Sequence, residues 1–130
     1  MGNAPAGGHK GREDRRRPRL RVDLPAQVGG KLPREARVLD LSLTGCLLRC
    51  GGAPDPGTVI DVRVELPDGP VTAKARVAET SLDGASLPGP TPCYLAGLEF
   101  LGLPAADEVR LRAFLEAERK RRTGARSAPS

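Results

Sequence analysis

Two short segments carry side chains whose type and spacing could do chemistry. The first is Arg15-Arg16-Arg17-Pro18-Arg19, followed by Leu20-Arg21. A guanidinium is planar, stacks on ring faces, and binds a phosphate or a purine edge through two parallel hydrogen bonds. A lysine ammonium does neither. The second is Asp40-Leu41-Ser42-Leu43-Thr44-Gly45, which offers a carboxylate, a hydroxyl and a glycine within six residues. Taken singly, each has a plain structural account. Asp40-x-Ser42 can form an Asx-type turn over its own backbone, Gly45 can mark a bulge, and the arginine run can be a solvated tail.

The charge of the chain is arranged around these segments. Residues 10–21 hold seven cations against two acids, a net of +5, and residues 116–126 hold five against two, a net of +3. Between them, residues 22–115 hold nine cations against twelve acids, a net of −3. An acidic body thus lies between two basic ends. A basic end attracts anions, and nucleic acid, nucleotides and anionic lipid all qualify. Arginine outnumbers lysine 17 to 4, so the planar cation dominates.

The elements that must position these side chains are short. Gly and Pro total 29 of 130 residues, too many for a helical bundle. Period-two alternation begins at Leu20, with Leu20, Val22 and Leu24 on one face and Arg21 and Asp23 on the other. Pro25 inside this run predicts an edge or a bulge. Further strands are expected over 36–41, 44–50, 58–66, 71–77 and 94–100, with a hairpin turn at Asp68-Gly69-Pro70 and a loop from Ser81 to Pro92. After Leu103 the period changes. Pro104 suits a helix start, Asp107 and Glu108 suit its first turn, and Leu111, Phe114 and Leu115 give a short apolar stripe. Six short antiparallel strands and one helix indicate an all-β small barrel or sandwich capped by a helix. Residues 1–14 read as a flexible leader and 119–130 as a basic flexible tail.

Several functions are excluded. The one histidine, His9, lies in the Gly-rich leader, so no nucleophile–histidine pair exists and an enzyme is not expected. Cys46 and Cys50 fall at i, i+4 of one strand, about 13 Å apart, beyond disulfide reach. With Cys93 they read as small hydrophobes in a reducing cytoplasm, and no metal-ligand spacing occurs. No apolar run approaches the roughly 18–20 residues of a membrane span, and no secretion signal follows Met1. Membrane insertion is not expected, and the expected location is the cytoplasm.

Taken together and in order, the two segments resemble the signature of the PilZ domain family: an R-x-x-x-R arm before the first strand and a [D/N]-x-S-x-x-G turn after the second. Arg15 and Arg19 fit the arm, Asp40, Ser42 and Gly45 fit the turn, and Gly97-Leu98-Glu99-Phe100 looks like the family's last strand. Arg12/Arg16 and Arg17/Arg21 also fit R-x-x-x-R, but Arg15/Arg19 leaves the usual short interval to Leu24-Pro25. Asp14 stands where many members carry a further arginine, a role Arg16 fills by a small shift of the arm.

The resemblance covers roughly 14–118, with a domain over 15–118. It implies a six-stranded antiparallel β-barrel with a C-terminal helix and, as ligand, the bacterial second messenger cyclic di-GMP. The ligand-binding residues are then Arg15, Arg16, Arg19, Asp40, Ser42 and Gly45, with no metal or other cofactor. Arginine takes the O6/N7 edge of guanine or a phosphate, and Asp40 accepts from the N1–H and N2–H₂ edge. Ser42 is a polar contact. Gly45 supplies a positive φ or lets a base approach. The arm is expected to be mobile without ligand, to fold over the barrel on binding, and to present a changed surface to a downstream protein. Two alternatives stand beside this. A small barrel binding nucleic acid fits the basic ends, although the acidic middle and scarce aromatics argue against nucleic acid as the partner. A PilZ module that binds only protein keeps the fold without the ligand.

Overall fold

In a computed structural model, residues 19–29, 34–84 and 93–127 are described. The expected leader, 1–14, lies outside them. In chain order the elements are β1 (Leu20–Val28), β2 (Arg34–Leu41), β3 (Gly45–Cys50), β4 (Val59–Leu66), β5 (Gly69–Leu82), β6 (Tyr94–Gly102) and α1 (Ala105–Ser127). Every neighbouring strand pair is antiparallel, and the hydrogen-bonded order β1-β2-β3-β6-β5-β4 closes on itself through β1 and β4. The architecture is thus a closed six-stranded barrel with one helix. Closure leaves little open sheet edge among the described residues, although β1 and β4 pair only over Ala26–Val28 and Val62–Val64.

Alternation fixes which side chains fill the lumen. In β4, Val62, Val64 and Leu66 are buried; in β5, so are Val71, Ala73, Ala75 and Val77. β2, β3 and β6 add Ala36, Val38, Leu41, Cys46, Leu48, Ala96 and Leu98. Small residues dominate because a barrel this narrow has little interior. The intervening β4 residues face water and pair there: Arg63 with Glu65 at 2.8 Å, and Asp61 with Lys74 of β5 at 2.9 Å. Pairing of β1 with β4 begins at Ala26. Pro25 sits just before it, where its missing N–H interrupts no β1–β4 bond.

The helix is bound to the barrel by both ends. Leu111 and Leu115 are buried in the same cluster as Leu20, Val77 and Leu98. At the start of α1 the Asp107 carboxylate accepts the Thr72 N–H at 2.8 Å, and Arg110 donates to the Pro70 carbonyl at 2.9 Å. The Pro104 carbonyl accepts the Glu108 N–H at 2.9 Å, so the proline opens the first turn. Among the described residues, no helix is long and apolar enough to cross a membrane.

Two expectations need correction. β5 does not stop near Val77 but runs to Leu82, pairing with β6 from Lys74 onward. A register shift between Val77 and Glu79 breaks the alternation there, so the period-two signal ended before the strand did. The tail expected over 119–130 is also helical as far as Ser127. Glu118 pairs with Arg121 and Arg122 one turn on, and Arg122 donates to the Arg21 carbonyl of β1. A charge run that looked like a solvated tail is a helix end tied to the barrel.

If α1 closes the core, Leu111→Ala removes a fully buried side chain and leaves a cavity. A loss of roughly 2–5 kcal/mol in urea denaturation is expected. A loss below about 1 kcal/mol would show that the helix only lies on the surface.

Candidate functional site

The site begins where β1 begins. Arg19 immediately precedes β1, and its Nη1 lies 3.5 Å from Oδ1 of Asp40 on β2. Arg15 and Arg16 lie outside the described residues, so of the expected arm only Arg19 is placed. Arg21, two residues on, stands directly opposite Asp40 across the β1–β2 ladder.

Asp40 owes its position to a bulge. Ala36 and Val38 point into the lumen, so strict alternation would point Asp40 inward as well. The β2–β3 register instead shifts between Val38 and Asp40, leaving Leu39 as the extra residue. The Asp40 carboxyl therefore lies at the barrel wall, with its side chain 20% exposed. Its Oδ1 is buried and has no hydrogen-bond partner among the described residues. The Arg19 guanidinium offsets its charge without closing a hydrogen bond on it.

Ser42 and Gly45 do different work. Ser42 is only 2% exposed. Its Oγ accepts the N–H groups of Thr44 at 3.1 Å and Gly45 at 3.2 Å, and its own N–H donates to the Gly45 carbonyl at 2.9 Å. The hydroxyl thus holds the turn from β2 into β3. Gly45 does not adopt a positive φ; among the described residues the glycines that do are Gly29, Gly57 and Gly69. Of the two roles expected for Gly45, a positive φ or room for a base, the first is corrected. A Cβ on Gly45 would lie 2.1 Å from the Leu98 carbonyl oxygen, so what needs the space is the neighbouring strand of the same chain.

The sheet extends the site beyond the motif residues. Asp40 stands opposite Leu47 of β3, Leu47 opposite Gly97 of β6, and Gly97 opposite Glu79 of β5. A row Arg21, Asp40, Leu47, Gly97, Glu79 thus crosses the outside of the barrel, with a small apolar floor at its middle. Leu47 and Gly97 were not singled out from sequence as site residues. A glycine within an alternating strand is the signal that marks such a place, because a flat ligand or a second backbone can approach there. The hydrogen bond from Arg122 to the Arg21 carbonyl brings the basic end of α1 to the point where the arm enters.

The sequence profile of the PilZ domain matches residues 13–117. The chain belongs to the PilZ domain family. Among solved structures, the PilZ domain with c-di-GMP of YcgR from Escherichia coli is 22% identical, with a TM-score of 0.62 over 87% of this chain and 98% of that one. The Bacillus subtilis inhibitor of motility MotI/DgrA is 17% identical, with a TM-score of 0.66 over 83% of this chain. The K. pneumonia MrkH–c-di-GMP complex is 19% identical, with a TM-score of 0.59 over 81%. The PilZ chain spans only 51% of MotI/DgrA and 54% of MrkH. These likenesses establish the barrel. No curated protein matches the chain significantly.

Two outcomes follow. Gly45→Ala forces a Cβ against β6 backbone, and a loss of roughly 3 kcal/mol or more in urea denaturation is expected without any ligand. Unchanged stability would mean that β3 and β6 are not this close. The Cys46 thiol is pushed up to about 12, first by burial and then by the Asp40 charge. The thiolate is the reactive form, so Cys46 should resist iodoacetamide at about pH 8 in the native protein while half-buried Cys93 reacts. Equal rates by mass spectrometry would contradict that burial.

Proposed function

We propose that this chain is a bacterial cyclic di-GMP receptor of the cytoplasm that passes the signal to a protein partner. The observation that carries this reading is the meeting of Arg19 with Asp40 at the barrel wall, 3.5 Å apart, at a buried carboxylate oxygen with no hydrogen-bond donor among the described residues. The ligand is a doubly charged anion bearing two guanines. Asp40 accepts from the N1–H and N2–H₂ edge of one guanine. Arg19, with Arg15 and Arg16 of the arm, stacks on purine faces and binds phosphate oxygens. Ser42 and Gly45 contribute mainly by holding the turn that presents Asp40. Family membership and the c-di-GMP named with the YcgR and MrkH structures support the choice of ligand.

The energetics suit a receptor whose arm docks on binding. Ordering backbone costs roughly 1–2 kcal/mol per residue. A hydrogen bond to a charged group contributes about 1.5–3 kcal/mol. Four arm residues are therefore offset by three or four such contacts, with stacking adding to them. The docked arm changes the surface beside α1, and that surface is what the partner reads. The role is binding, with no chemical step.

Calorimetric titration with cyclic di-GMP tests the reading. Arg19→Ala and Asp40→Asn should each weaken binding by about 1.5–3 kcal/mol, near ten- to a hundred-fold. Affinity should vary only shallowly between about 50 and 200 mM salt, whereas a nucleic-acid binder making several phosphate contacts loses roughly a thousand-fold or more. Absence of binding by the wild-type protein, or unchanged affinity in both variants, sinks the assignment.

A further inference from the structure

Glu79 shares an unusual history with Asp40. In β5, Val71, Ala73, Ala75 and Val77 all point into the lumen. Glu79 has the same parity and would be the next inward residue of an unbroken strand. The β5–β6 register shifts between Val77 and Glu79, with Ala78 as the extra residue. Both Ala78 and Glu79 are consequently exposed. Asp40 follows the bulged Leu39 in the same way. Two carboxylates of core parity are thus turned out of the barrel by two separate bulges, onto one row.

Between them lies the floor of Leu47 and Gly97, three strand spacings wide from Asp40 to Glu79, or roughly 14 Å along the sheet. Glu79 leans over this floor: its Cγ is 3.5 Å and its Oε2 3.9 Å from where a Cβ on Gly97 would stand. Its carboxylate takes no hydrogen bond or ion pair from any described residue. On the adjoining outward row, Arg76 pairs with Glu99 at 3.6 Å, so a cation also borders the floor.

We propose that Glu79 is a second base-reading carboxylate, which closes the far side of the floor and selects guanine over adenine in the bound cyclic dinucleotide. This rests on the receptor reading above and adds a specificity-determining residue outside the arm and the turn. A purine lying on Leu47 and Gly97 approaches the backbone closely, because Gly97 has no side chain to hold it off. Its edge then meets Glu79. Guanine presents two donors there, N1–H and N2–H₂, which a carboxylate accepts together. Adenine presents an acceptor at N1 and lacks the N2 amino group, so the carboxylate repels it. A good bidentate base contact gives about ten- to a hundred-fold discrimination.

The experiment compares wild type, Glu79→Gln and Glu79→Ala by calorimetry with cyclic di-GMP and cyclic di-AMP, with thermal melting as the folding control. Glu79 is exposed, so melting should not change. Both variants should lose about ten- to a hundred-fold for cyclic di-GMP. Glu79→Gln, whose amide both donates and accepts, should gain relative affinity for cyclic di-AMP. If Glu79 is only a surface charge, Glu79→Gln tightens both anionic ligands alike, and that result overturns the proposal. So does an unchanged preference for guanine in a protein that binds cyclic di-GMP. Failure of the wild type to bind either dinucleotide is a different result: it removes the receptor reading itself, and this inference with it.

Discussion

One close approach between two strands sets the rest of the structure in place. At its first residue β3 passes so near β6 that the Leu98 carbonyl oxygen occupies the space a side chain on Gly45 would need. The ladder then continues, with Gly45 opposite Glu99 and the Phe100 N–H bonded to the Thr44 carbonyl at 2.8 Å. The same glycine closes the preceding turn. Its N–H donates to the Ser42 hydroxyl and its carbonyl accepts the Ser42 N–H. Strand crossing and turn are therefore not separable. A residue that spoiled one would spoil the other, and Asp40 just upstream would lose its orientation with them.

Asp40 is the place where the fold accepts a cost. A buried carboxylate oxygen without a hydrogen bond is destabilising by about 1–3 kcal/mol relative to one that has its donor. Arg19 reduces the electrostatic part of that cost by proximity, but at 3.5 Å it closes no hydrogen bond on the acceptor, and no other described residue does. The thiol of Cys46, pushed up partly by the Asp40 charge and pulled down by that of Arg19, registers both groups from inside the barrel. A buried acceptor without a donor among the described residues, beside Arg19, suits the donor-rich ligand edge proposed above.

Much of this was legible from sequence, and the rest failed for identifiable reasons. Strict alternation in Ile60–Leu66 and Val71–Val77 names the strands and their inward faces, because a lumen of Val, Ala and Leu leaves no other assignment. Asp40, Ser42 and Gly45 were readable as a unit, but their division of labour was not. Whether a serine hydroxyl faces a ligand or its own turn depends on a few ångströms that no spacing encodes. The glycine's reason, a neighbouring carbonyl, belongs to a strand some fifty residues away. The end of β5 was lost because a bulge breaks the period that reveals a strand. The last turns of α1 were lost because an arginine run is equally compatible with a solvated tail, until Arg122 meets the Arg21 carbonyl.

The bulges themselves had a signature, seen only in retrospect. Asp40 continues the parity of Ala36 and Val38, and Glu79 that of Val71 to Val77. A carboxylate placed in that lumen would have to lose its charge or carry a very large desolvation penalty. Neither outcome suits a lumen of aliphatic side chains, so the strand must slip by one residue to expel the group. An acidic residue at a core-parity position is therefore a sequence signal for a bulge. In a closed barrel, where the interior is filled and the outer face is the surface left for a ligand, a bulge turns a would-be core position into a surface one beside its neighbours. Two such slips, in β2 and β5, converge on one row of the wall.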